Sequence, residues 1–97
     1  MSVKEQYKKK LTEIIKKYLP SCKIYLFGSR ATEKHGKFSD IDIAIDASKQ
    51  LKTSTLGKIK DDIKESNIPL FVDVLDFNDV SDKMRNQILN YGILWKD

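Results

Sequence analysis

Val3, Tyr7, Leu11, Ile14, Ile15 and Tyr18 recur at steps of three and four, the spacing of one face of an α-helix. The pattern predicts an amphipathic helix that ends at Leu19-Pro20, because the residue before a proline is pushed out of the helical region. Ile24-Tyr25-Leu26-Phe27 is a short β-branched and aromatic run closed by Gly28, which predicts a buried strand entering a tight turn. Ser29 then stands where a helix N-cap would stand. Thr32 to Ser39 is polar and without period, a loop or a short helix followed by a loop. From Asp40 to Asp46 the chain alternates: Ile41, Ile43 and Ile45 face one way, and Asp40, Asp42, Ala44 and Asp46 face the other, which is a strand with one acidic face.

Leu56, Ile59 and Ile63, after the candidate caps Thr53 and Ser54, predict a second long helix, weakened by Gly57 and finished near Asn67. Pro69 opens another strand, Leu70 to Leu75, apolar on both faces except for Asp73, the signature of a strand covered on both sides. Val80, Met84, Ile88 and Tyr91 give a last helix, capped by Ser81 or Asp79 and ended by Gly92. The order α-β-α-β-α-β-α predicts one α/β (α+β) domain over residues 1–97, a small mixed three-stranded sheet flanked by helices. The apolar tail Ile93-Leu94-Trp95 either packs back on the core, the favoured reading, or is partly exposed as a docking surface.

Composition narrows the classes. With 97 residues, 40% hydrophobic and 33% charged, the chain is expected to fold around one core, with no room for a second substrate-binding domain. No window approaches the ~20 apolar residues of a membrane span, and the lysine-rich start lacks a signal peptide's apolar region, so the expected location is the cytoplasm. The formal charge is +4, but Lys8, Lys9, Lys10, Lys16 and Lys17 fall mainly on the polar side of the first helix. They read as a solvated face rather than a nucleic-acid footprint, since no basic stripe is interleaved with aromatics. The lone Cys22 reads as a small apolar residue. His35 lies in a polar loop and reads as solvated, and Tyr7, Tyr18, Tyr25 and Tyr91 read mostly as core packing.

The chemistry concentrates in carboxylates. Asp40 and Asp42 are two apart on a strand, on one face and about 6–7 Å apart at Cα. Charges that close repel unless a cation sits between them. Oxygen ligands alone point to Mg²⁺ or Mn²⁺, and Mg²⁺ usually completes its shell with substrate phosphate and water, which makes a nucleoside triphosphate the natural partner. Asp73, mid-strand between Val72 and Val74, is costly there unless it meets a metal or a fixed donor. Asp76 is the rival third carboxylate, on the opposite parity and at the strand's end. Three carboxylates can hold two metal ions, one at an attacking hydroxyl and one at the triphosphate. Gly28-Ser29 adds a close backbone approach and donors for phosphate.

Leu26-Phe27-Gly28-Ser29-Arg30-Ala31, Ser39-Asp40-Ile41-Asp42-Ile43 and Val72-Asp73-Val74 together closely resemble the motifs of the DNA polymerase beta-like nucleotidyltransferase superfamily. The short length and the Gly-Ser-Arg-Ala form resemble its minimal nucleotidyltransferases, antitoxin partners of helical HEPN-domain proteins. The resemblance implies that Asp40 and Asp42 bind both metals, and that Asp73 completes the site and helps activate the acceptor hydroxyl. It also implies that Gly28 and Ser29 hold the triphosphate and that Arg30 steers phosphate, an arginine that reads equally well as a surface or capping residue. Thr32-Glu33 departs from the basic residue and glycine of many relatives. The function implied is transfer of AMP, or another nucleoside monophosphate, from ATP or another NTP to a tyrosine of a HEPN toxin. One alternative is a catalytically silent, nucleotide-binding antitoxin acting by occlusion. Another is a small-molecule nucleotidyltransferase of the antibiotic-modifying type, for which a homo-oligomer or second subunit would have to supply the acceptor pocket.

Overall fold

The leading amphipathic segment becomes helix α1, Glu5–Tyr18. Its apolar stripe buries Leu11 and Ile15 completely, and it ends on Leu19, whose N–H still donates to the Ile15 carbonyl. The computed structural model describes residues 3–32, 36 and 39–96. Strand β1 is Lys23–Phe27, followed by a one-turn 3₁₀ segment, Gly28–Ala31. Strand β2 is Ile41–Asp46, helix α2 is Thr53–Lys64 and strand β3 is Val72–Asp76. A second 3₁₀ turn, Phe77–Asp79, leads to helix α3, Asp82–Tyr91, and strand β4, Ile93–Lys96.

The sheet has four strands in the order β3-β2-β1-β4, with β2 and β3 parallel and the other pairs antiparallel. This corrects the expected three: the Ile93-Leu94-Trp95 tail is an edge strand paired with β1, in register Tyr25 to Leu94 and Leu26 to Ile93. Trp95 packs back on the main core as expected, while Ile93 and Leu94 remain substantially exposed and are held by backbone pairing. The expectation that the third strand is covered on both sides is also corrected. Strand β3 is the opposite edge, begins two residues later than the apolar run, and leaves Phe71 66% exposed.

Strand pleat divides the molecule into two faces. Ile24, Leu26, Ile41, Ile43, Ile45 and Val74 pack against α1 and α2 residues such as Leu11, Ile15 and Ile59 in the main core. On the other face Ala44, Phe77 and Ile88 form a smaller core, with Tyr25, Phe27 and Met84 packed on it. The tyrosines divide accordingly: Tyr7, Tyr18 and Tyr25 pack against these cores, whereas Tyr91 is 70% exposed. The Tyr18 hydroxyl donates to Asp62 at 2.6 Å, pinning α1 to α2. Cys22 is buried and unbridged. Helix α3 is capped by Ser81, whose Oγ accepts from Met84 N; α2, by contrast, has no side-chain cap at Lys52. Among the described residues, no helix is long and apolar enough to cross a membrane.

The turn from α3 into β4 is tight because Gly92 lies against backbone. A Cβ there would collide with the Ile88 carbonyl oxygen and sit 3.0 Å from that of Leu26, whereas a Cβ on Gly57 would meet nothing. Gly92→Ala is therefore expected to destabilise by about 1–3 kcal/mol, and Gly57→Ala to stabilise by about 0.5–1 kcal/mol through helix propensity. Urea unfolding of the two variants beside the parent checks both signs.

Candidate active site

Chain geometry at the end of β1 starts the site. Gly28 has φ +74°, in the left-handed region that side chains disfavour. A Cβ on it would also run into the carboxylate of Asp42. One residue thus meets two demands, a sharp turn and a backbone laid directly against an acid. Ser29 follows, half-buried, in the 3₁₀ turn, and its carbonyl accepts from the N–H of Thr32 at 3.3 Å.

Asp42 lies at the centre of the arrangement. Its Cα partner across the antiparallel β1 ladder is Phe27, and its partner across the parallel β3 ladder is Asp73. Paired residues on neighbouring strands project from the same face, so Asp42 and Asp73 stand side by side. Asp40 is exposed just before β2, two residues upstream and on the same parity. The backbone ladder reaches this point because Ile41 N donates to Phe71 O at 2.9 Å. Burial, then the neighbouring Asp73 and Asp40 carboxylates, push the Asp42 carboxyl above its ordinary value.

Arg30 differs from either reading of it as a surface or capping residue. It is only 6% exposed, and its Nε donates to the carbonyl of Ser39 at 2.9 Å. Ser39 Oγ in turn accepts from Gly36 N at 2.7 Å. The arginine therefore ties the 3₁₀ turn to the residue that immediately precedes Asp40. Asp76 is also buried, but on the core face, where it accepts from Leu51 N at 2.7 Å and Asn78 N at 3.0 Å. It is a structural acid that fastens the loop before α2. Asp46, at the far end of β2, accepts from Ser48 N and Asn78 Nδ2. The acidic face of β2 thus splits into a site end and a structural end. His35 and Glu33 lie outside the described residues.

Asp40, Asp42 and Asp73 form an all-oxygen donor set, the kind preferred by Mg²⁺ and Mn²⁺. Among the described residues no group of three or more His, Cys, Asp or Glu side chains is placed to hold a metal ion by itself. Mg²⁺ commonly takes one or two carboxylates and fills its shell with phosphate and water, so the set fits an ion that arrives with a triphosphate. A divalent cation beside Asp42 would relieve the repulsion from its neighbouring carboxylates.

Beside Gly28, on the same face of the sheet, lies an apolar cavity of about 310 Å³ between the end of β1 and α3. Its walls include Phe27, which pairs with Asp42, and Met84; nothing in the sequence pattern brings these two together around a cavity.

A carboxyl with a raised folded-state value holds its proton more tightly folded than unfolded. Its contribution therefore lowers stability as pH rises from the ordinary carboxylate range through the raised value. Asp42→Asn is expected to raise the melting temperature in metal-free buffer at neutral pH by about 1–4 °C, a modest gain because the group is partly solvated. The gain should vanish at a pH below the ordinary carboxylate range, and thermal melts across pH read it directly.

Comparison with known proteins agrees with this architecture. Residues 9–96 match the family described as polymerase beta, nucleotidyltransferase. The "Probable protein adenylyltransferase MntA" of Haemophilus influenzae is 33% identical over 75 residues, which cover 77% of this chain and 66% of that protein. A chain in a crystal structure of a toxin–antitoxin with AMP-PNP superposes with a TM-score of 0.77 at 26% identity, covering 91% of this chain and 71% of that one. The complex of a tri-AMPylated Shewanella oneidensis HEPN toxin with its MNT antitoxin shares the fold, with a TM-score of 0.74 at 24% identity over 98% of this chain and 71% of that one. The chain belongs to the polymerase beta nucleotidyltransferase family.

Proposed function

We propose that this protein transfers a nucleoside monophosphate, with ATP as the first donor to test, to a hydroxyl on a partner protein. The observation that carries the proposal is the in-register pair Asp42 and Asp73 on parallel strands, with Gly28 against Asp42. The H. influenzae relative, named as a protein adenylyltransferase, supports the choice of AMP and of a protein acceptor. The toxin–antitoxin structure with AMP-PNP supports a toxin as partner. The resemblance to the minimal nucleotidyltransferases implies a HEPN-domain protein as partner and one of its tyrosines as acceptor.

In the transfer, the acceptor oxygen forms a bond to the α-phosphorus while the bond from that phosphorus to the bridging oxygen of pyrophosphate breaks. Asp73 takes the hydroxyl proton, and the electron pair of the broken bond leaves with pyrophosphate. Gly28 and Ser29 hold the triphosphate, since backbone without a Cβ can approach an oxyanion closely. Asp40 and Asp42, with Asp73, would hold Mg²⁺ or Mn²⁺, which supplies charge neutralisation along the phosphates. Arg30, buried and bonded to Ser39, positions the segment that delivers Asp40; its proposed contact with phosphate is secondary to that role.

Intact-mass spectrometry of a HEPN-domain protein from the same genome, incubated with this chain, ATP and Mg²⁺, tests the proposal. One or more AMP increments on the partner are expected, with the rate reduced about 10²–10⁴-fold or more in Asp73→Asn, the loss typical of removing a positioned base. Asp73 is half-buried on an edge strand, so the variant should fold and still bind the partner. A stable complex with no mass change would overturn enzymatic transfer for that pair and leave occlusion as its mode of action.

A further inference from the structure

The outer margin of β3 carries a surface that the transfer chemistry leaves unused. A groove of about 370 Å³ runs between this edge strand and α2, with Lys60 and Lys64 of α2 on one side and Leu70, Phe71 and Asp73 on the other. Lys60 and Lys64 are four residues apart on the helix and so share one face of it. Both are exposed, and neither has an ionic partner among the described residues. Phe71 is 66% exposed, although its backbone is fixed, its carbonyl accepting from Ile41 N at 2.9 Å. A large apolar ring held out in solvent beside two unpaired ammonium groups has the makeup of a contact surface, an apolar anchor with a charged rim.

Place and charge select the occupant. Phe71 stands two residues before Asp73, about 6–7 Å along an extended chain, and both line the groove. A body seated on Phe71 therefore stands at the approach to the proposed base. A second copy of this chain fits poorly, because a two-fold contact sets the same patch against itself and would gather four ammonium groups in one desolvated place. The chain as a whole carries a formal charge of +4, which draws acidic surfaces toward it and repels further copies. The partner that fits has an apolar side chain to cover Phe71 and carboxylates to meet Lys60 and Lys64.

We infer that this groove docks the acceptor protein, through a patch on that protein in which carboxylates flank an apolar side chain. The inference rests on the nucleotidyl-transfer reading above and adds the surface that holds the acceptor, which that reading does not specify. Affinity for the acceptor is then set by α2 and the residues leading into β3, and the rate of transfer from the bound complex by the acids.

The test uses the same HEPN-domain protein and the full chain, with binding measured by titration calorimetry and transfer by intact mass. Lys60→Glu with Lys64→Glu should raise both Kd and KM for the partner about tenfold or more, and the deficit should shrink as salt rises from about 0.05 M to about 0.5 M. Phe71→Ser should raise both by a similar factor at every salt concentration. Neither variant should change kcat at saturating partner, or the affinity for ATP, by more than about twofold, a split that a misfolded chain would not show. The control is Lys9→Glu with Lys23→Glu, an equal charge change at exposed positions away from the groove, and it should bind the partner like the parent. If the groove variants bind as tightly as the parent, or the control weakens binding as much as they do, the acceptor docks elsewhere and the inference falls alone. It also falls alone if the chain self-associates and Phe71→Ser disperses it in sedimentation, since the groove then belongs to a second copy. If the unaltered protein neither binds nor modifies the partner, the nucleotidyl-transfer reading falls with it.

Discussion

The pleat of β2 couples stability to chemistry in this fold. Ile41, Ile43 and Ile45 are wholly removed from solvent beneath α1 and α2, and with β1 and β3 on either side the strand has no free edge. Burying those three isoleucines commits the intervening residues to the opposite face, because a shift of one position would drive aspartates into the main core. The register that satisfies the core is therefore the register that sets Asp42 between Phe27 and Asp73. Ala44, two residues on, is small enough for Phe77 and Ile88 to close over it. Asp42 lies at the boundary where that second core stops and open surface begins.

The site violates local rules that the rest of the chain obeys. Acids crowd on adjacent strands, an arginine is buried, and a strand ends in a left-handed residue pressed against a carboxylate. Each is unfavourable in isolation, and each is enforced by ordinary packing nearby: the isoleucine core, the Arg30 bond to Ser39, and the absence of a Cβ at Gly28. Local conflict of this kind, compensated by its surroundings, is a physical mark of a site.

Strong periodicity made much of this legible from residues alone. The three long helices, β1 and the alternating β2 follow directly from spacing, and parity puts Asp40 and Asp42 on one face of β2 and Asp76 on the face of β3 opposite to Asp73. Strand β4 was not legible, because four residues after a helix carry no period, and they form a strand only by pairing with β1. The covering of β3 was misjudged because apolar residues on both faces resemble a central strand, yet Phe71 is left in solvent at the sheet's margin. The burial of Arg30 is not legible in the sequence, where it reads equally as a phosphate-steering and as a surface or capping arginine, because a guanidinium is rarely buried and its partner is a backbone carbonyl nine residues away.

Strand β3, an edge, carries Asp73 with it to the rim of the sheet. The base proposed at that rim would reach a hydroxyl that stands on another macromolecule's surface. For the transfer proposed here, recognition of the acceptor then becomes a matter of how two folded bodies dock. Selectivity can be rewritten on either of them by altering surface contour, without disturbing the acids or the strand that holds them in register.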